Sequence, residues 1–107
     1  MSLHYELGNR DNAAGVRLIG RIDRDASDTL DEAYAGVASD APAAIELDFS
    51  AVDYINSTGI ALIIALLARA RADGALLRAV GLTPHYQHIF DITRLSDYIK
   101  IVQPDPK

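Results

Sequence analysis

The sequence predicts one α/β domain, a mixed, mostly parallel sheet of four to five strands packed with about three helices. Three observations carry that prediction. Segments of alternating apolar and polar residues take turns with segments of 3.6-residue apolar period, in the order β-β-α-β-α-β-α-β, as expected of strands joined by crossover helices. The chain has 107 residues, the size of one domain. It is 50% hydrophobic and 23% charged, a balance that supports a core and argues against disorder. Residues 1–102 form the expected domain, and 103–107 (QPDPK) a flexible tail.

The first long strand is expected at residues 16–22 (VRLIGRI), entered through a turn at 12–15, with 4–7 as its hairpin partner. A helix follows over 26–38, because Ala26, Leu30, Ala33, Tyr34 and Val37 share one face. Asp25 is its expected N-cap, and Gly36 weakens its last turn. Residues 44–49 alternate and read as a strand. The second helix is expected over 57–72, stopped by Asp73-Gly74, with Arg69 and Arg71 placed to complement its C-terminal dipole. Residues 76–80 make a short strand. Thr83-Pro84 supplies a cap and an N1 proline for a third helix through residue 92, and residues 98–102 close the sheet.

Composition excludes several functions. With no cysteine, the chain has no disulfide scaffold, thiol nucleophile or cysteine metal site, and a reducing compartment fits. Ten basic against 15 acidic residues give a net charge of −5, against a broad grip on nucleic acid. The acidity is uneven: residues 1–55 hold 11 acidic and four basic side chains, residues 56–107 four and six. The most apolar run, residues 60–68, is far short of the roughly 20 residues that span a bilayer. No signal-peptide pattern opens the chain, so a cytoplasmic protein without membrane insertion is expected.

The chemistry concentrates in residues 47–59 (LDFSAVDYINSTG), where a strand ends and Asn56-Ser57-Thr58-Gly59 opens an apolar helix. In parallel α/β sheets ligands and partners meet the carboxyl ends of strands, and a helix N-terminus there favours an anion. Asn, Ser and Thr are also ordinary N-cap residues, and a cap needs no further function. A phosphate-binding P-loop requires Gly-Lys-Ser/Thr, and the chain has no Gly-Lys pair. No nucleophile–base–orienter set is visible, so a nucleotide-binding or enzymatic α/β domain is disfavoured, and neither a cofactor nor catalysis is expected.

Four ordered segments within residues 16–102 resemble the STAS domain, and within it the bacterial anti-sigma-factor antagonists. They are Gly20-Arg21-Ile22-Asp23; Leu47-Asp48-Phe49-Ser50; Tyr54-Ile55-Asn56-Ser57-Thr58-Gly59-Ile60; and Ile89-Phe90-Asp91-Ile92-Thr93-Arg94-Leu95. The resemblance implies a STAS-type fold and a phosphorylation switch at Ser57, with Thr58 as the secondary candidate. It implies binding of the unmodified form to a partner that is both anti-sigma factor and serine kinase, release of a sigma factor, and a phosphatase that resets Ser57. One departure stands out: Asn56 replaces the Asp common in the family, keeping a cap but removing a charge beside the acceptor. The alternative is a non-switching STAS subunit of a larger scaffold or lipid-transport complex.

Asp23, Asp53, Asn56, Ser57, Thr58, Gly59 and Ile60 form the expected partner footprint, Asp23 converging with Ser57 at one end of the sheet. Ile60, Ile63, Ile64 and Leu67 are expected to face the core. Leu66 points elsewhere and, if exposed, makes an apolar patch for a partner or for self-association. Asp25, Asp28, Asp31 and Glu32 read as a solvated face. His85 and His88 have helical metal-pair spacing but no third ligand, so they are read as a surface pair. Glu46 and Asp48 share one strand face and read as a polar sheet surface.

Overall fold

The computed structural model describes residues 2–10, 13–39 and 42–102. Strands and helices follow as β1 (Leu3–Arg10), β2 (Ala13–Ile22), α1 (Ser27–Ala38), β3 (Ala44–Ile55), α2 (Ser57–Ala72), β4 (Leu76–Val80), α3 (Pro84–Ile92) and β5 (Lys100–Ile101). Short 3-10 turns at Arg24–Ala26 and Leu95–Asp97 lead into α1 and β5. The strands lie side by side in chain order. β1 runs antiparallel to β2, and all later pairings are parallel. Parallel neighbours need a crossover, and α1, α2 and α3 are the three crossovers. The expected α/β class, a mostly parallel sheet with three helices, is what the chain adopts.

The helices cover one face of the sheet. Val16, Leu18, Ile45 and Leu47 point there against Leu30, Ala33, Tyr34, Val37 and Leu66 from α1 and α2. Phe49 meets α3 through Phe90, edge to face at 5.9 Å. The other face is polar, and its charges alternate across the ladders. The alternation breaks at β5, where Arg78 meets Lys100, but Glu6 lies opposite Arg17, Arg17 opposite Asp48 and Glu46 opposite Arg78. Such opposite-charge rows suit a hydrated surface. Glu46 and Asp48 belong to that polar face.

Five boundaries differ from expectation, the first being β1, which runs Leu3–Arg10 rather than 4–7. Residues 13–15 extend β2 rather than forming a turn, because Gly15, Ala14 and Ala13 pair with Gly8, Asn9 and Arg10. β3 continues six residues past 49, through register shifts against β2 that break the simple alternation. Asp23, not Asp25, is the cap: it terminates β2 and accepts a hydrogen bond from the Asp25 amide at 3.0 Å. That cap serves the 3-10 turn, which runs into α1 without a further side-chain cap. β5 is shorter than 98–102, since Tyr98 and Ile99 are held by the preceding turn through their bonds to the Leu95 carbonyl. The expected tail at 103–107 lies outside the described residues.

A polar clamp joins the two helices. The Tyr34 hydroxyl donates to Asp73 at 2.6 Å, the Arg69 guanidinium lies 4.5 Å from the Tyr34 ring centre, and Arg69 pairs with Asp31 at 2.8 Å. Burial, then the bond to the Asp73 carboxylate and its charge, push the Tyr34 phenol up to about 12 from its ordinary 10.0. The unfolded chain therefore loses this proton first as pH rises. Folded-state stability from Tyr34 is complete below pH 10 and is lost between about 10 and 12, by up to about 2–3 kcal/mol. Urea unfolding across that window should show the loss, and Tyr34→Phe should flatten this part of the profile.

Candidate functional site at the start of helix α2

β2 and β3 end on the same side of the sheet, and α2 starts one residue beyond β3. The junction is built around the Ile22 carbonyl. The Asn56 amide donates to that oxygen at 3.3 Å, and the first turn of α2 is pressed against it. A Cβ on Gly59 would stand 1.9 Å from the Ile22 oxygen and 2.7 Å from its carbon. Only glycine lets the helix sit there.

Asn56 caps the helix from an extended conformation. Its Oδ1 accepts from the Gly59 amide at 2.8 Å, and its carbonyl accepts the Ile60 amide at 2.9 Å. Ser57 and Thr58 then occupy the first two helical positions and face solvent. Their hydroxyls make no hydrogen bond among the described residues. From the other side, the Ile55 amide donates to the Tyr86 hydroxyl at 3.0 Å, so α3 also holds the junction.

The rim carries charge of both signs. Asp23 follows Ile22, caps its turn and stays partly exposed, while Asp53 and Asp25 are exposed. Arg21 stacks over Tyr54, 4.5 Å from the ring centre, and its Nε lies 3.8 Å from Asp23 Oδ2. Asp28, Asp31 and Glu32 are exposed along α1, and Asp31 pairs with Arg69 in the last turn of α2, at the far end of that helix from the junction. No trio of His, Asp or Glu side chains clusters for a metal among the described residues.

The structure brings Asp23, Asn56, Ser57 and Thr58 to one end of the sheet, with Asp53 two residues upstream of Ile55. It removes three residues from the expected contact surface. Gly59 faces the Ile22 carbonyl, Ile60 is buried in the core, and Leu66 is only 4% exposed. Leu66 is buried because α1 lies over that flank of α2, placing it among Leu30, Ala33, Tyr34 and Val37. The opposite flank is open, so Ile64, expected in the core, is 46% exposed. Ile64 lines a groove of about 380 Å³ with Leu67, Ala68, Arg71 and Tyr98. Sequence reading missed Tyr86 and the Arg21–Tyr54 stack; Tyr86 had a signal, three residues after the Thr83 cap, but its target lies 31 residues away.

Residues 6–103 match the family model described as "Mlab, STAS domain". The chain belongs to the STAS domain family. Among curated relatives, this STAS domain is 26% identical over 101 residues to the anti-sigma-B factor antagonist of Bacillus subtilis, covering 94% of this chain and 92% of the relative. Among solved structures, it resembles an anti-sigma factor antagonist from Mycobacterium paratuberculosis, with a TM-score of 0.79 at 22% identity over 95% of this chain and 86% of that one. It also shares its fold with the anti-sigma factor antagonist SpoIIAA. The TM-score is 0.71 for the unphosphorylated form, at 14% identity, covering 95% of this chain and 90% of that one. For the phosphorylated Bacillus form it is 0.67, at 15% identity, covering 94% and 92%. No helix among the described residues is long and apolar enough to cross a membrane.

The junction makes a stability prediction independent of function. Gly59→Ala should cost about 3 kcal/mol, because the added carbon overlaps backbone and cannot be relieved by a rotamer. Asn56→Ala should cost about 1 kcal/mol through loss of the cap, whereas Asn56→Asp should stay within about 0.5 kcal/mol of the parent. Urea denaturation of the three variants measures all of this.

Proposed function

We propose that the protein is a phosphorylation-controlled binding switch, an anti-sigma-factor antagonist that acts through Ser57. The unmodified form binds an anti-sigma factor that is also a serine kinase and so frees a sigma factor. The kinase modifies Ser57, binding ends, and a phosphatase restores it. The chain itself supplies no catalytic group in this scheme. One observation carries the reading: Ser57 is presented to solvent at the first turn of α2, with its hydroxyl free of internal hydrogen bonds among the described residues.

The physical effect of the phosphate is local. It adds about −1.5 to −2 charge, which the helix N-terminus tolerates. A docked partner surface does not tolerate it, since the charge must be desolvated beside Asp23 and Asp53. SpoIIAA keeps a fold like this one in both its unphosphorylated and phosphorylated forms, which supports a switch of surface rather than of fold. The acidic rim further implies a locally basic partner and an affinity that falls as salt rises.

A second reading is a non-switching subunit of a larger scaffold or lipid-transport complex. It draws on Asn56, which caps without placing a carboxylate beside Ser57, and on the Ile64–Tyr98 groove along α2. Incubation with the cognate kinase and ATP, read by intact mass, separates the two. The switch requires one added phosphate, abolished in Ser57→Ala, and at least tenfold weaker kinase binding by Ser57→Asp than by Ser57→Ala. An unmodified chain that co-purifies in a stable multisubunit complex would favour the second reading.

A further inference from the structure

β3 outruns its neighbour. Its ladder with β4 ends at the Asp48–Val80 pair, while β3 itself continues to Ile55. Beyond Asp48 the strand is paired on the β2 side only, and the Ile55 amide is left to find an acceptor elsewhere. Ile55 is buried, so water is a poor substitute. The acceptor it uses is the Tyr86 hydroxyl, 3.0 Å away on α3.

Tyr86 is held in place for that contact. The Thr83 hydroxyl accepts from its backbone amide at 3.3 Å, Pro84 fixes the first helical position, and Phe90 one turn later is fully buried against Phe49. A continuous series of bonds thus runs from the start of α3 through the phenol to Ile55. It reaches Asn56, whose amide and side chain set the first turn of α2, and ends at Ser57.

We propose that Tyr86 is the positioning residue of the Ser57 site, fixing the β3–α2 junction through its hydroxyl so that α3 governs how the serine is presented. The effect on modification rests on the phosphorylation reading above; the effect on junction rigidity does not. Tyr86→Phe keeps the ring packing and removes only the acceptor. Amide hydrogen exchange at Ile55, Asn56 and Gly59, whose amides make the junction's hydrogen bonds, should then quicken about tenfold while the Leu47 and Ile63 amides keep wild-type rates. Ser57 phosphorylation by the cognate kinase should slow several-fold. Ile45→Val, a core change of modest cost remote from the junction, should leave both readouts near wild type. Unchanged exchange at Ile55, Asn56 and Gly59 in Tyr86→Phe, or equal quickening in Ile45→Val, overturns the inference. Quickened exchange in Tyr86→Phe, together with a wild-type chain that the kinase leaves unmodified, sinks the phosphorylation reading and leaves Tyr86 as the junction's positioning residue.

Discussion

The first turn of α2 rests directly on the last carbonyl of β2, and the geometry of the exposed site follows from that contact. Bare backbone at Gly59 lets the two elements touch. With the helix pressed so close, Asn56 reaches both ways, donating its amide to Ile22 and accepting the Gly59 amide. Ser57 and Thr58, between these two fixed residues, have only the outward direction left. Their exposure is therefore a consequence of backbone packing beneath them. A bulkier residue at 59 would tilt the helix and change where both hydroxyls point.

The same contact explains why the site tolerates charge. Its foundation is backbone and apolar: Ile22, Ile55, Ile60 and Ile63 are all buried. The charged side chains Asp23, Asp53 and Arg21 are on the rim, where water screens them. Ser57 is exposed, so a group added to it would project into solvent rather than against a core side chain. Under the proposed switch, what changes is the surface presented.

The order of the elements was legible in large part because α2 and α3 carry their own punctuation. Ser57–Ala72 follows from an Asn cap, an apolar run and an Asp-Gly stop, and Pro84–Ile92 from Thr-Pro. Ser57 was legible for the same reason. Burial around α2 was harder, because an almost uniformly apolar helix has little periodicity to orient it. Its orientation came from the neighbours instead: α1 covers the Leu66 flank and leaves Ile64 open. The length of β3 was hidden by its register shifts, which put Val52 and Ile55 inward while Asp53 and Tyr54 stay out. Tyr86 was hidden for a topological reason, since a phenol bonding a backbone amide 31 residues away leaves no local pattern.

The acidity of the first half of the chain takes on a different meaning in three dimensions. Most of it is spread: Glu6 and Asp48 lie opposite Arg17 across the polar sheet face, and Asp31 is paired with Arg69 on α2. Asp28 is solvated on α1, and Glu32, also exposed there, faces the Tyr5 phenol. What remains near Ser57 is a small group, Asp23, Asp25 and Asp53, with the exposed Arg24 between the first two and Arg21 drawn onto Tyr54 and toward Asp23. A field that small decays within a Debye length, about 8 Å at physiological salt, so it cannot steer a partner from afar. It can, however, discriminate at contact. Two extra negative charges at Ser57 would come close to doubling this local group, while adding comparatively little to the long-range field of a chain whose net charge is already −5. In the proposed switch, discrimination between the two forms therefore resides in the docked complex, in its dissociation rate more than in its encounter rate.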